Sequence, residues 1–278
     1  HSKERAFTLI ELLVVIAIVG ILSSVIYTNI TGLRDRAKVT AGIRFDSSTL
    51  HSIGDMLVGE WTFDSPNLPL IDTSGFGNVG TCTSCPTYST TSGYNNKGAY
   101  SFDGSYKYIT LPNDIGLGTQ ELTVSIWVKL NSYSGASNRR PFISDWNTYV
   151  PGSQKGFSLS SFFTRTYPAF QICDGTDTHS VNSRQDMSLN TWYNVVGVFS
   201  ANSVLKIYLN GTQTGSATPP SQYVKESSTP IYIGRQDVNG GTMDGIIDDV
   251  RIYSSALSSS DIQKLYAEGA PLHKLSEN

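Results

Sequence analysis

Residues 7–26 read FTLIELLVVIAIVGILSSVI, and past Glu11 no charged side chain occurs until Arg34. Twenty apolar residues at about 1.5 Å each make roughly 30 Å of helix, the thickness of a bilayer's hydrocarbon core. The segment is therefore expected to cross a membrane. Lys3 and Arg5, just ahead of it, favour a cytoplasmic N-terminus and an exported remainder. A cleaved secretory signal would have a shorter apolar core closing on a small-residue site, which Ser23-Ser24-Val25-Ile26-Tyr27 does not supply. Glu11 is the anomaly. An acidic side chain at the bilayer centre costs about 2.5–3.5 kcal/mol on insertion scales, so it calls for a specific partner.

Past this run the chain turns polar at Arg34-Asp35-Arg36-Ala37-Lys38, and Val39, Ile43, Leu50, Ile53 and Leu57 then recur at helical spacing. One helix from residue 7 to about residue 55 would be roughly 75 Å long. From Gly59 the period changes to two. Leu122, Val124, Ile126, Val128 and Leu130 alternate with Thr123, Ser125, Trp127 and Lys129, and Leu205, Ile207 and Leu209 with Lys206 and Tyr208. These are strands with one face in a core, the second ending in the hairpin pair Asn210-Gly211. Further strands are expected at 60–64, 99–102, 108–111, 157–161, 169–173, 192–199, 231–234 and 246–253. So many short strands without intervening helices predict an antiparallel two-sheet sandwich. The chain is α+β in class, mainly β: a long N-terminal helix, then the sandwich. With 20 Lys and Arg against 23 Asp and Glu, scattered along 278 residues, no basic stripe marks a nucleic-acid partner.

The string from Lys3 to Ile16, KERAFTLIELLVVI, resembles the class III leader and N-terminal helix of type IV prepilins and pseudopilins. The resemblance implies that a prepilin peptidase cuts between Ala6 and Phe7 and that the new amine is N-methylated. It implies too that Glu11 pairs with this amine on a neighbouring copy. Residues 1–6 would then be a leader remnant and 7–57 the transmembrane and assembly helix of a single-pass precursor in the cytoplasmic membrane. Two charges that are each costly in an apolar filament core offset one another when packed together.

A second set of motifs covers residues 59–268: Gly59-Glu60-Trp61-Thr62-Phe63-Asp64, Asp72-Thr73-Ser74-Gly75-Phe76-Gly77-Asn78, Tyr100-Ser101-Phe102-Asp103-Gly104, Thr191-Trp192-Tyr193 and Gly245-Ile246-Ile247-Asp248-Asp249-Val250-Arg251-Ile252-Tyr253. Their order is similar to that of bacterial laminin-G-like, concanavalin-type jelly rolls, so residues 58–278 are expected to form one. The segment 257–262 is similar to the short terminal helix of that family. There Ser258 and Asp261 form a capping box, and Gly269 and Pro271 end the helix.

Enzymatic chemistry finds little support. A retaining glycosidase needs two carboxylates about 5–5.5 Å apart, as alternating acids on a strand would give, and no E-x-D-x-E run occurs. Adjacent Asp248 and Asp249 on a regular strand would face opposite ways. His51, His179 and His273 have no Ser or Cys pattern beside them that suggests a nucleophile. Calcium is a candidate cofactor, with Asp72, Asn78, Asp103 and Asp248 in glycine-rich loops or strand ends as oxygen donors. The competing reading makes them turn carboxylates that accept backbone N–H groups. Asp248 shares parity with Val250 and Ile252, so it is expected to face inward. Cys82 and Cys85 form a C-x-x-C loop, and export favours a disulfide, within that loop or from one of its cysteines to Cys173. Trp127, Trp146 and Tyr149, with Tyr167 and Tyr223, are candidates for stacking on sugar rings, or for core and intersubunit packing.

Taken together, the sequence predicts a non-enzymatic structural subunit of a type IV pilus-like surface filament. It would polymerise through its N-terminal helix with the help of pilus assembly machinery and display a lectin-like domain toward glycans or a partner cell surface. The alternatives are a membrane-anchored carbohydrate-binding module that does not polymerise and a minor pseudopilin of a secretion or DNA-uptake machine.

Overall fold

A computed structural model of the chain describes residues 53–66, 69–133, 139–146, 155–162, 166–223, 229–236 and 241–269. The chain divides into two compact units, 1–52 and 53–278, and the fold below is that of the second. Ala6, Phe7, Glu11 and the apolar run lie outside the described residues. Among the described residues no helix is long and apolar enough to cross a membrane.

Fourteen strands among the described residues build two antiparallel sheets. The larger has the order β12 (Thr212–Ala217), β11 (Val204–Leu209), β10 (Trp192–Ser200), β5 (Glu121–Leu130), β14 (Asp244–Tyr253), β3 (Ala99–Asp103) and β2 (Thr87–Ser89). β1 (Leu57–Trp61) pairs with the second half of β14, leaving the first half to β3. The smaller sheet runs β4 (Ile109–Leu111), β13 (Ile231–Ile233), β6 (Arg139–Ser144), β7 (Lys155–Phe162), β8 (Pro168–Asp174) and β9 (Thr178–Asn182). This is the expected jelly-roll sandwich.

The period-two pattern is what makes the core. Leu122, Val124, Ile126, Val128 and Leu130 are all at 0% exposure and share one apolar layer with Val195 and Phe199 of β10 and with Phe157, Leu159, Phe170 and Ile172 of the facing sheet. Each such side chain contributes about 1.5–3 kcal/mol by leaving water. Gly197 sits between Val195 and Phe199 because the Phe170 ring occupies its side-chain position: a Cβ there would lie 2.4 Å from Phe170 Cγ.

A second, smaller layer forms on the outer face of the eight-stranded sheet. Helix α1 (Ser259–Gly269) lays Ile262 and Leu265, with Leu257 before them, on Val196, Val198, Tyr208 and Tyr253. Its start is the expected cap: the Asp261 N–H donates to Ser258 Oγ at 3.2 Å, and that hydroxyl donates to Asp261 Oδ2 at 2.6 Å. The β11–β12 hairpin turns through Asn210 and Gly211 at φ of 50° and 74°, the two left-handed residues a type I′ turn requires.

Candidate functional site

The predicted oxygen donors fall into separate places. Asp72 organises the loop after β1: its Oδ1 accepts the Glu60 and Ser74 N–H groups at 2.9 Å, and its Oδ2 accepts that of Asn78 at 2.9 Å. Against burial, which pushes its pKa up, hydrogen bonds from Ser74, Glu60 and Asn78 hold Asp72 below the usual carboxylate value. Asn78 in turn donates to Val58 O at 2.7 Å and accepts from Trp61 Nε1 at 3.0 Å. These two residues clasp the loop to β1. Asp103 accepts from Ser105, which lowers its pKa, and pairs with Lys107 at 3.3 Å. In the β3–β14 register it stands opposite Asp244, four residues and roughly 13 Å along β14 from Asp248. Among the described residues no three acidic, His or Cys side chains gather as metal ligands.

Asp248 departs from its expected orientation, for a clear reason. Ile247 faces the core opposite Val128, and Asp248 pairs outward with Trp127. Asp249 then takes φ of 45°, the ladder skips, and Val250 and Ile252 return to the core. The bulge reverses parity, so Asp248 does not share a face with Val250 and Ile252. It also brings the two neighbouring carboxylates to one residue: Asp248 Oδ2 accepts the Tyr94 N–H at 3.2 Å, and Asp249 Oδ2 accepts the Tyr94 hydroxyl at 3.2 Å. Burial, with the Asp249 charge beside it, pushes the Asp248 pKa up to about 8. Burial also raises Asp249, although Arg251 Nε lies 3.2 Å away and holds Glu60 at 2.8 Å as well.

The aromatic candidates are mostly closed off. Trp127 does stand opposite the core, but its indole is stacked between Tyr94, with centroids 4.1 Å apart and planes 2° apart, and Tyr266 of α1, at 5.7 Å and 21°. It is 5% exposed and presents no face to a sugar. Trp146 is 1% exposed beneath the Arg139 guanidinium. Tyr223 is buried with its hydroxyl bonded to Asp145. Tyr149 lies outside the described residues. The disulfide is Cys82–Cys85 within its loop. Cys173 takes no part in it, being buried in β8 with its thiol directed to Asp177 O at 3.1 Å.

Among the described residues a groove of ≈ 720 Å³ lies where the free edges of the two sheets meet, β9 of the smaller and β12 of the larger. Gly215 brings the edges together: a Cβ there would stand 2.3 Å from Asn182 O. Ser180, Asn182, Gln213 and Ser216 supply hydroxyls and amides, Tyr167 a half-buried ring, and Arg184 an exposed guanidinium. Volumes of about 300–1,000 Å³ are usual for small-molecule sites, and this lining is far more polar than most. The groove adjoins a polar row across the smaller sheet, in which register places Ser144 beside Ser158, Ser158 beside Gln171, and Gln171 beside Ser180. Ser158 Oγ and Gln171 Oε1 in that row are buried without a hydrogen-bond partner. Of the groove lining only Tyr167 was visible in sequence, as one aromatic among several; Ser180, Asn182, Gln213 and Ser216 come from two edge strands the periodicity does not reveal, and Arg184 from the segment after β9.

Among solved structures, the chain is similar to domain 4 of AbnA, a GH43 extracellular arabinanase from Geobacillus stearothermophilus, in complex with arabinotriose. Identity is 21% and the TM-score 0.56, over 76% of this chain and 98% of that one. The botulinum neurotoxin serotype G binding domain matches at 15% identity and a TM-score of 0.60, over 77% and 51%. A botulinum neurotoxin type C structure, described by cell entry dependent on two ganglioside molecules, matches at 16% and 0.58, over 79% and 53%. The chain thus spans about half the length of the neurotoxin chains, and at these identities the likeness is one of fold. No curated protein matches the chain. Residues 1–27 match the prokaryotic N-terminal methylation motif. Residues 103–263, more than half of the chain, match the concanavalin A-like lectin/glucanases superfamily, to which this protein belongs.

Proposed function

We propose that the chain is a structural subunit of a type IV pilus-like surface filament that displays its jelly roll as an adhesive, glycan-binding domain. One observation carries this reading: a methylation motif at residues 1–27 and a lectin-class sandwich occur in the same chain. The motif supports a membrane-inserted precursor, cleaved between Ala6 and Phe7 by a prepilin peptidase and drawn into a filament by assembly machinery. Burial of the apolar faces of residues 7–26 against neighbouring copies drives polymerisation, and Glu11 fixes the register through the terminal amine of a neighbour. The domain's part is binding without catalysis. Asp248 and Asp249, neighbouring carboxylates, are buried beside Tyr94, to which both are hydrogen-bonded, and Asp249 also pairs with Arg251. Saccharide binding is supported by the fold neighbour solved with arabinotriose and the one described with gangliosides, and by the polar groove.

Electron microscopy of cells expressing Glu11→Ala tests the assembly half. Filaments are expected to be lost while the full chain in detergent melts as the unaltered protein does, and mass spectrometry should find N-methylated Phe7 at the terminus of mature subunits. Normal fibres from Glu11→Ala would overturn the register argument.

A further inference from the structure

We infer that the groove between β9 and β12 is a binding site for an anionic saccharide, one carrying a carboxylate or sulfate group, with Arg184 as its charge partner. The inference rests on the reading of the jelly roll as a glycan-binding domain and gives that reading a place and a ligand class.

Charge comes first. Of the arginines among the described residues, Arg251 holds Glu60 and Asp249, Arg139 lies over the rings of Trp146 and Phe162, Arg140 over Tyr133, and Arg235 over Tyr108. Arg184 alone among them is exposed, and it forms no ion pair with a described residue. Among the described residues no Asp or Glu lines the groove, and the nearest carboxylate in sequence, Asp186, accepts the Thr166 hydroxyl. A guanidinium at the rim of a groove with no acid among its described lining residues is a ready partner for a carboxylate or sulfate, which it grips through two parallel N–H bonds.

The rest of the lining suits a sugar better than a bare anion. Tyr167 offers a ring against which the C–H face of a pyranose can stack. Asn182 and Gln213 each combine a donor and an acceptor on a planar group, matching the alternating donors and acceptors of vicinal hydroxyls, and Ser180 adds a hydroxyl that can turn either way. Next to Ser180 across the β8–β9 ladder, Gln171 is 4% exposed and its Oε1 is without a partner. That acceptor belongs to the face of the smaller sheet and not to the groove lining, so it marks the rival location for a ligand. The groove's ≈ 720 Å³ holds one or two sugar rings.

The test uses the full chain in detergent on an array of matched glycans: neutral, uronate-bearing, sialylated and sulfated. Binding of one or more anionic glycans over their neutral counterparts is expected, with affinity falling as salt rises. Arg184→Gln should weaken that binding about 10- to 100-fold, and Tyr167→Ala should weaken it too. The Arg184→Gln melting temperature should stay unchanged, since the side chain is exposed. The carboxylate and sulfate arms identify the anion. Anionic binding untouched by Arg184→Gln but abolished by Ser158→Ala or Gln171→Ala would overturn the groove assignment and move the ligand to the face of the smaller sheet. Binding of neutral glycans alone would overturn the inference and leave the lectin-type reading standing. Filaments that bind no glycan at all would end both, without touching the assembly reading.

Discussion

Two regions of this domain each bring an arginine together with aromatic rings, and they do opposite things with them. On the outer face of the eight-stranded sheet, Trp127 is covered on both sides by Tyr94 and Tyr266, and Arg251 is surrounded by Glu60, Asp249 and, at 3.8 Å, Glu268. At the meeting of the sheet edges, Tyr167 is half-buried and Arg184 stands in solvent. Side chains alike in chemistry are thus sealed in where a loop and a helix close over them and reach solvent where two sheet edges meet. Residue type alone does not separate the cases. What separates them is whether the guanidinium is already neutralised by carboxylates or stands in solvent.

The largest effect expected from this contrast belongs to Trp127→Ala, which removes the middle of a three-ring stack. It should destabilise the domain by about 3–5 kcal/mol, lowering the melting temperature on the order of 10 °C with glycan affinity unchanged below the transition. A shift within 2 °C of zero would erase the distinction between the closed and open regions.

The buried carboxylates give the next effect, with a definite sign. Asp248 has its native pKa pushed up to about 8 from the ordinary carboxylate value of 3.8, so between those limits the native state binds more protons than the unfolded one. Its contribution is fully present below about pH 4 and is lost as pH rises toward about 8, at up to about 1.4 kcal/mol per pH unit. Asp249, also raised by burial, acts in the same sense. Urea titrations at pH 5 and pH 8 should therefore find the protein less stable at the higher pH, and Asp248→Asn should flatten the slope. A flat profile between pH 5 and pH 8 would mean that Arg251 keeps both carboxylates ionised.

Gly215→Ala carries the smallest effect and acts at the open region. Its Cβ would press on Asn182 O, so β12 must shift away from β9, at about 1–3 kcal/mol. Binding at the groove should weaken along with stability. Unaltered glycan binding in that variant would show that the closeness of the two edges does not shape the site.

The interior of the fold was legible because its strands alternate strictly. β5, β10 and β11 lie within a residue of the expected spans, and the Asn210-Gly211 turn has the predicted backbone. β1 starts earlier than expected, at Leu57, with a register shift before Gly59. β6 was hidden by Arg139-Arg140-Pro141, which reads as a break and in fact forms a bulged strand with Pro141 beside the irregularity. β9, THSVN, and β12, TQTGSA, pass unnoticed because edge strands bury few side chains and so carry little apolar alternation. The groove is made of these two strands, which is why its residues were missed while the better buried Trp127 and Trp146 drew attention. Asp248 was misplaced by the same kind of local event, a single left-handed residue that no periodicity predicts.

The strand order also determines how the domain carries mechanical load. β1 begins just past Ile53, which is buried in the outer-face layer, so tension entering from the N-terminal side meets that packing and β1 before passing sideways through β14, β5, β10 and β11 to β12. A pull along β1 loads its hydrogen bonds to β14 in shear, where several must yield together rather than one after another. Load leaving by the far edge would be borne by the full breadth of the sheet.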